Sequence, residues 1–362
     1  MTERILAAAS PGEVRVAAAR DDDLLDYAIG RPGAPDGVGD VYRGRVTARA
    51  PALGGVFVAL AGTTDGFLPD TEGGKGLAQG TVLGVRITRS AQGGKGPRLT
   101  ARLAVHEMPG QGPQQLVRRG PGAVERLASS YPAAPVLVDD AALAAALRPA
   151  LGERLTLRPS VFDDHVLGVI EALAEPEIVL PGGARLAFHP TPALVAIDVD
   201  SGAAASSHLA VNRALLPVLA RQIRLRNLSG AILVDLAGMP ARRRASLGPA
   251  LAEALADDPM RPRLLGFTAL GLAEIVRPRV HAPLHELLAG PYAAGLAALR
   301  AIAAAVAAER GRMPVLRAAP AVVRALEQDA AALGDLARRT GRTLMLRGDP
   351  SLPGTGWIME AP

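Results

Sequence analysis

Two short stretches decide the fold: Leu194-Val-Ala-Ile-Asp198-Val-Asp200 and Ala231-Ile-Leu-Val-Asp235. Each is an apolar run of buried-strand length that ends in a carboxylate, and a long helical pattern separates them. Strand, helix and strand in succession form a crossover unit with parallel strands, so Asp198 and Asp235 should emerge side by side at the carboxyl ends. Open α/β sheets place their ligands at that edge. A pair of carboxylates there suits a hard cation such as Mg²⁺, which takes one or two protein carboxylates and keeps room for water and a phosphate. Aspartate also caps the turn after a strand through local hydrogen bonds, and spacing alone leaves these two readings level.

Between the stretches, Ser206 or Ser207 can cap a helix running to about Asn227, with an apolar stripe of Leu209, Leu216, Leu219 and Ile223. Pro217 lies inside it and is expected to kink or break it. Arg213, Arg221, Arg224 and Arg226 occupy other faces, where arginines are ordinarily solvated. Upstream, alternating strand and helix signals run from Leu116 to a hairpin turning at Pro181, Gly182 and Gly183. Downstream come Arg242, Arg243 and Arg244, a helix to about Ala256 and a strand near Arg263 to Thr268. His281 and His285 have metal-pair spacing, but Pro283 between them spoils the helix that would align them, so no zinc is expected. From Ala293 onward the pattern is that of a small terminal α/β domain.

The first thirty residues read as two short strands, Ile5 to Ala19 and Leu24 to Ile29 on either side of Asp21, Asp22 and Asp23, closed by a Gly- and Pro-rich loop from Arg31 to Gly39. From Asp40 to Ala104 the texture changes to short runs rich in Val, Thr and Phe between glycines, which predicts a small β-barrel. Tyr42, Phe57 and Phe67 fall in this segment, Arg43 and Arg45 flank the tyrosine, and the chain's two lysines, Lys75 and Lys95, both sit in Gly-Gly-Lys-Gly loops. Rings with interleaved cations on a small barrel are how oligonucleotide-binding folds hold single strands. Filling the barrel core is the alternative use of the same rings.

At 362 residues and 49% hydrophobic, the chain can build two or three domains and is not intrinsically disordered. The net charge of +5 permits a polyanionic partner. With no cysteine, disulfides and cysteine-ligated metal sites are excluded, and the absence of a signal-peptide pattern points to the cytoplasm. The alanine-rich stretch from Ala293 is interrupted by Arg300, Glu309 and Arg310, and reads as a buried helix with no membrane partner. Walker, dinucleotide and nucleophile-elbow motifs are missing, which counts against those enzyme classes.

Several stretches taken together are more specific. Ala193-Leu-Val-Ala-Ile-Asp198-Val-Asp-Ser-Gly202, Ala220-Arg-Gln-Ile-Arg-Leu-Arg-Asn-Leu-Ser-Gly230, Ile232 to Met239 and Gly266-Phe-Thr-Ala-Leu-Gly-Leu-Ala-Glu-Ile-Val-Arg277 resemble consecutive signatures of the ribonuclease E/G family. Gly39-Asp-Val-Tyr-Arg-Gly-Arg-Val46, Gly55-Val-Phe57 and Asp65-Gly-Phe-Leu68 look like that family's S1 domain, and Leu180-Pro-Gly-Gly183 like its hairpin before the catalytic strand. The tail around Pro314 to Leu326 is similar to the small C-terminal domain of ribonuclease G.

The resemblance implies an α/β protein with a small β-barrel. An RNase H-like part (1–38 and 112–182) is interrupted by an S1 (OB-fold) RNA-binding domain (39–104), followed by a DNase I-like catalytic domain (183–290) and a small C-terminal domain (291–362). The activity it implies is Mg²⁺-dependent endonucleolytic cleavage of single-stranded RNA to 5′-phosphate and 3′-hydroxyl ends, with Mn²⁺ as an alternative cofactor. Asp198 and Asp235 match the family's metal-binding aspartates. Phe57, Phe67 and Lys95 match its RNA contacts, and Tyr42, Arg43, Arg45, Arg224 and Arg226 are further candidates for contact with RNA.

Departures accompany the match. Asp200 stands where the family usually has Asn and becomes a candidate third metal ligand, and Ala203, Ala204 and Ala205 replace the usual polar rim. The short passage from Thr100 to Gln114 omits the family's 5′-monophosphate sensor, so 5′-end sensing is not expected. Without cysteine the zinc link after Arg279 is also missing, which leaves a monomer or a zinc-independent oligomer. A non-catalytic RNA-binding descendant of the family is the main rival reading, and a DNase or phosphatase using the same two aspartates is a third.

Overall fold

The structure, a computed structural model, describes residues 3–107, 110, 112–202, 207–309 and 313–360. The chain folds into two units, one of residues 1–34, 123–278 and 283–362 and the other of residues 35–122 and 279–282. In chain order the first elements are β1 (Glu3–Ser10), β2 (Glu13–Arg20) and β3 (Asp23–Gly30). The barrel strands β4 (Val41–Ala50), β5 (Gly55–Ala59), β6 (Gly66–Pro69), β7 (Val82–Arg89), β8 (Arg98–Thr100) and β9 (Gln115–Arg118) follow.

The larger unit resumes with α1 (Ala123–Ser130), β10 (Val136–Val138), α2 (Ala141–Leu151), β11 (Leu155–Leu157) and α3 (Asp164–Ala172). Strands β10 and β11 join the opening hairpins in the order β11-β10-β1-β2-β3. This sheet is covered on both faces. Ile5, Ala7 and Val16 pack against Val124, Leu127 and Leu147, while Leu6, Ala8 and Ala17 pack against Val166 and Ile170. Burial on both faces explains why these strands are nearly continuous apolar runs with only loose alternation.

The next elements are β12 (Glu177–Val179), β13 (Arg185–Pro190), β14 (Val195–Asp200), α4 (His208–Leu225), β15 (Gly230–Asp235), α5 (Ala241–Arg244), α6 (Gly248–Leu255), β16 (Arg263–Phe267) and β17 (Ala273–Arg277). Their six strands lie in the order β12-β13-β14-β15-β17-β16. The β14–β15 pair is parallel, as a crossover through α4 requires, and its neighbours are antiparallel. Leu186, Ile197, Val199, Ile232, Val234 and Ile275 pack on Leu216, Leu219 and Ile223 of α4 and on Leu251 and Leu255 of α6. Pro217 does not break α4, which runs through it as one helix. Leu215, Leu216 and Leu219 are buried around the proline, and their packing outweighs the missing backbone hydrogen bond.

The chain ends with α7 (Leu284–Leu287), α8 (Gly290–Glu309), β18 (Val315–Ala318), α9 (Pro320–Glu327), α10 (Ala330–Thr340), β19 (Met345–Gly348) and β20 (Trp357–Glu360). The three strands form the sheet β19-β18-β20. Helix α8 contains a segment long and apolar enough to cross a membrane, Gly290–Ala308. Its Leu296, Leu299 and Ile302 are fully buried against Leu316, Val322 and Leu326, as befits a core helix.

In the second unit, β4, β5, β6, β8 and β7 close into a five-stranded barrel, because β4 pairs with both β5 and β7. This architecture fits an S1, OB-like domain. Gln115–Arg118, expected from sequence in the RNase H-like part, instead pairs with β4 and extends the barrel sheet.

Candidate functional site

In the parallel β14–β15 pair, Asp198 and Asp235 are directly opposed in register. Both are exposed, whereas Ile197, Val199, Val234 and Leu236 beside them are buried. Strand alternation therefore anchors the apolar residues and presents the carboxylates on the opposite face. On its other side Asp198 lies opposite Ala187 of β13, whose methyl group leaves space next to the carboxylate. Arg244 donates through Nη1 to Asp235 Oδ1, and its Nε holds the Met239 carbonyl at 2.8 Å. The arginine thus fixes both Asp235 and the loop that follows it.

That loop is also clamped from α4. Asn212 has no exposed surface. Its Nδ2 donates to Ala237 O at 2.9 Å and to His208 O at 2.8 Å, and its Oδ1 accepts from Ala237 N at 3.1 Å. A buried amide so placed satisfies backbone groups that the sheet and helix leave open. Asn212 was missed in the sequence, although it sits on the helix's apolar stripe between Leu209 and Leu216, where a polar residue must find a buried partner.

Asp198 and Asp235 fit a divalent ion of the Mg²⁺ type, since both oxygen donors are accessible and adjacent and the remaining ligands would be water and substrate. Asp200 has partners of its own. Its Oδ2 accepts from Arg185 at 3.0 Å and its Oδ1 from Gly202 N at 2.9 Å. The Gly202 N–H and then the Arg185 guanidinium hold this carboxyl below the usual carboxylate range. Among the described residues, no three His, Asp or Glu side chains converge to hold a metal. Ala203, Ala204, Ala205 and Ser206 lie outside the described residues, and the helix cap is Ser207, whose hydroxyl accepts from Ala210 N at 3.4 Å.

On the barrel, Phe57 and Phe67 are directly opposed across β5 and β6 and meet edge to face, their centroids 5.6 Å apart. Both are half-buried. Gly55 lies below them, and a Cβ there would come within 2.7 Å of Phe67 Cζ, so glycine is what lets the ring lie over the strand. Arg45 lies opposite Ala59, two residues from Phe57, and Arg98 lies opposite Phe67, and both arginines are exposed. Lys95 is exposed at a tight turn in which Gly93 and Gly94 take positive φ values of 54° and 75°. Arg98 was not singled out from sequence, because only the pairing of β6 with β8 sets it beside the rings.

Residues 142–280 match the model of the ribonuclease E/G family. Ribonuclease E of Escherichia coli (strain K12) is 24% identical over 400 residues, covering 79% of this chain and 38% of that protein. Ribonuclease G of the same organism is 31% identical over 144 residues, covering 38% and 29%. Ribonuclease E of a Nostoc species is 37% identical over 130 residues, covering 34% and 19%. Residues 142–280 of the chain are thus similar to the ribonuclease E/G family. The chain spans between about a fifth and two fifths of the length of these relatives. The stretch matching the ribonuclease E/G model holds Asp198, Asp235, Arg244 and Asn212, so the carboxylate pair lies in the part of the chain that carries the similarity.

Four residues expected from sequence to contact RNA have other partners in the structure. Arg226 is 5% exposed, donates to the carbonyls of Leu173 at 2.9 Å, Glu175 at 2.6 Å and Ala172 at 3.1 Å, and stacks 4.2 Å from the Phe188 centroid. Burial lowers its pKa to about 10. Arg224 binds Asp26 at 2.9 Å and the Tyr131 hydroxyl at 2.7 Å, tying α4 to the first sheet. Tyr42 is buried in the barrel core, and Arg43, 7% exposed, donates to Pro113 O at 2.9 Å. All four are drawn inward by partners far away in the sequence. His281, on the barrel unit, bonds Asp36 at 2.5 Å.

Proposed function

We propose that this chain is a divalent-metal-dependent endoribonuclease that cuts single-stranded RNA, leaving 5′-phosphate and 3′-hydroxyl ends. The observation that carries the reading is the exposed, registered pair Asp198 and Asp235 inside the stretch that matches the ribonuclease E/G family. In this reading the two aspartates hold Mg²⁺ or Mn²⁺. A bound ion of this kind offsets charge developing on the phosphoryl oxygens and lowers the pKa of a coordinated water. Arg244 keeps Asp235 oriented, and the Phe57–Phe67 pair stacks bases of the substrate while Arg45, Arg98 and Lys95 neutralise its backbone.

The reading extends to an RNase H-like identity for the first sheet and a DNase I-like one for the six-stranded sheet. It also includes cytoplasmic location, zinc-independent assembly and indifference to the 5′ end. The short passage from Thr100 to Gln114 supports that indifference, although residues 108, 109 and 111 lie outside the described ones. A many-fold faster cleavage of 5′-monophosphorylated than of 5′-hydroxyl RNA would contradict it.

Purified protein incubated with labelled single-stranded RNA, its DNA counterpart and Mg²⁺, beside an Asp235→Asn variant, tests the whole. RNA cleavage that needs the ion and is lost in the variant is expected. Cleavage undiminished by the substitution would remove the site assignment. Binding without cleavage would favour a non-catalytic RNA-binding protein, the reading suggested by Asp200 being committed to Arg185.

A further inference from the structure

We propose that His208 is a catalytic residue of this centre, its imidazole protonating the 3′-oxygen that leaves when the RNA chain is cut. The proposal rests on the endoribonuclease reading. His208 is the first residue of α4, and the crossover brings that helix end back to the sheet edge where β14 and β15 finish. A Cβ placed on Gly238 would lie 2.6 Å from the imidazole Cδ2 and Nε2 and 2.7 Å from Cε1. Three of the five ring atoms are thus nearly equidistant from one point, so the ring lies flat on Gly238, three residues beyond Asp235. Gly238 also has a φ of +55°, so both the backbone and the imidazole require a glycine here.

The backbone that carries the ring is anchored. Asn212, one turn further along α4, bonds the His208 carbonyl and both backbone groups of Ala237, so the first turn of the helix and the loop after Asp235 move as one piece. His208 itself is exposed, and among the described residues no group hydrogen-bonds its ring nitrogens. An imidazole with open nitrogens, lying on the loop that follows Asp235, is placed as a general acid of this centre would be.

The step balances. A water oxygen forms a bond to phosphorus as the P–O3′ bond breaks, the water gives up a proton to solvent, and the leaving oxygen takes its proton from the imidazolium. The products are a 3′-hydroxyl and a 5′-phosphate, and the neutral imidazole recovers its proton from solvent. A leaving group that needs no proton should make the histidine dispensable.

The experiment compares wild type, His208→Ala, His208→Gln and Asp235→Asn on two substrates, ordinary RNA and RNA with a bridging 3′-sulfur at one cleavage site, a thiolate being a good leaving group unprotonated. Loss of both histidine variants on ordinary RNA by about 10²-fold or more, with the sulfur-bridged RNA cut within a few-fold of wild type, is expected. Equal losses on the two substrates, or no loss, would overturn the role. A second readout uses the intact protein without divalent ion. Its imidazole ¹⁵N signals are followed as a 2′-O-methyl RNA is added, and the His208 resonance must move; a resonance that stays put also overturns the proposal. Asp235→Asn separates the two levels, because wild-type activity surviving in that variant would sink the metal-site reading, whatever the histidine variants do.

Discussion

Asn212 and Arg244 carry as much of the centre as the carboxylates do, because each joins a side chain to the loop that Asp235 begins. Asn212→Ala leaves the Ala237 N–H and carbonyl buried without partners, at a cost of about 1–3 kcal/mol, readable by urea unfolding. Cleavage should fall further than stability does, since the loop carries Asp235. Arg226→Ala makes the opposite test. Removing a guanidinium that serves three carbonyls should destabilise the protein by about 2 kcal/mol while RNA affinity stays unchanged, and weakened RNA binding at full stability would restore it as a contact. Asp200 predicts a pH effect. Its carboxyl titrates below the ordinary range, so the stabilisation it gives is complete above that range and is lost as pH falls through the lowered value. The stability gap between wild type and Arg185→Ala should therefore narrow in acid. Asp198 and Asp235 could be read from sequence because period-2 alternation and the crossover rule act locally. Arg226 and Asp200 could not, because their partners are set by packing between elements.

Among the elements, the barrel strands were visible as short runs between glycines, yet which of their residues face outward was not. The bulge between Val46 and Ala48 shifts the register of β4 against β5, so alternation counted from Tyr42 does not carry through to the strand's far end. Tyr42, ahead of the bulge, packs in the core with Val46, and the half-buried ring pair on β5 and β6 forms the platform. Phe57→Ala and Phe67→Ala should each weaken single-stranded RNA binding by about 1–3 kcal/mol, measured by fluorescence anisotropy, with the fold intact. Arg98→Ala should lower the slope of log affinity against log salt by about 0.7, and an unchanged slope would remove it from the interface. Helix α4 teaches a related lesson. Pro217 argued for a break on local grounds, and the buried leucines around it hold the helix together.

At the level of the whole molecule, the larger unit is knitted by ion pairs between segments distant in the chain. Glu13, nearly fully buried, accepts from Arg31 at 3.0 Å and from Arg300 at 2.9 Å, linking the first hairpin to α8. Tyr292 of α8 donates to Asp329 at 2.6 Å, and Asp329 caps α10. Such a chain of buried partners is lost on truncation, so removing residues 313–362 should destabilise the first sheet as well as the terminal one, detectable as accelerated hydrogen exchange in β1 and β2.

Gly30 ends β3 and Ala123 begins α1, and a Cβ on Gly30 would lie 3.2 Å from the Ala123 methyl. The chain therefore leaves the host sheet and returns to it at almost the same point, like a bead tied into a string. Bridging such neighbouring ends with a short linker costs little closure entropy, whatever length is cut out. Residues 35–122 are in this sense a detachable cassette. A deletion joined by a few glycines should retain the two-layer packing around Ile5 and Val16 while removing any RNA affinity the barrel supplies, so that the host fold could gain or shed the barrel in one step.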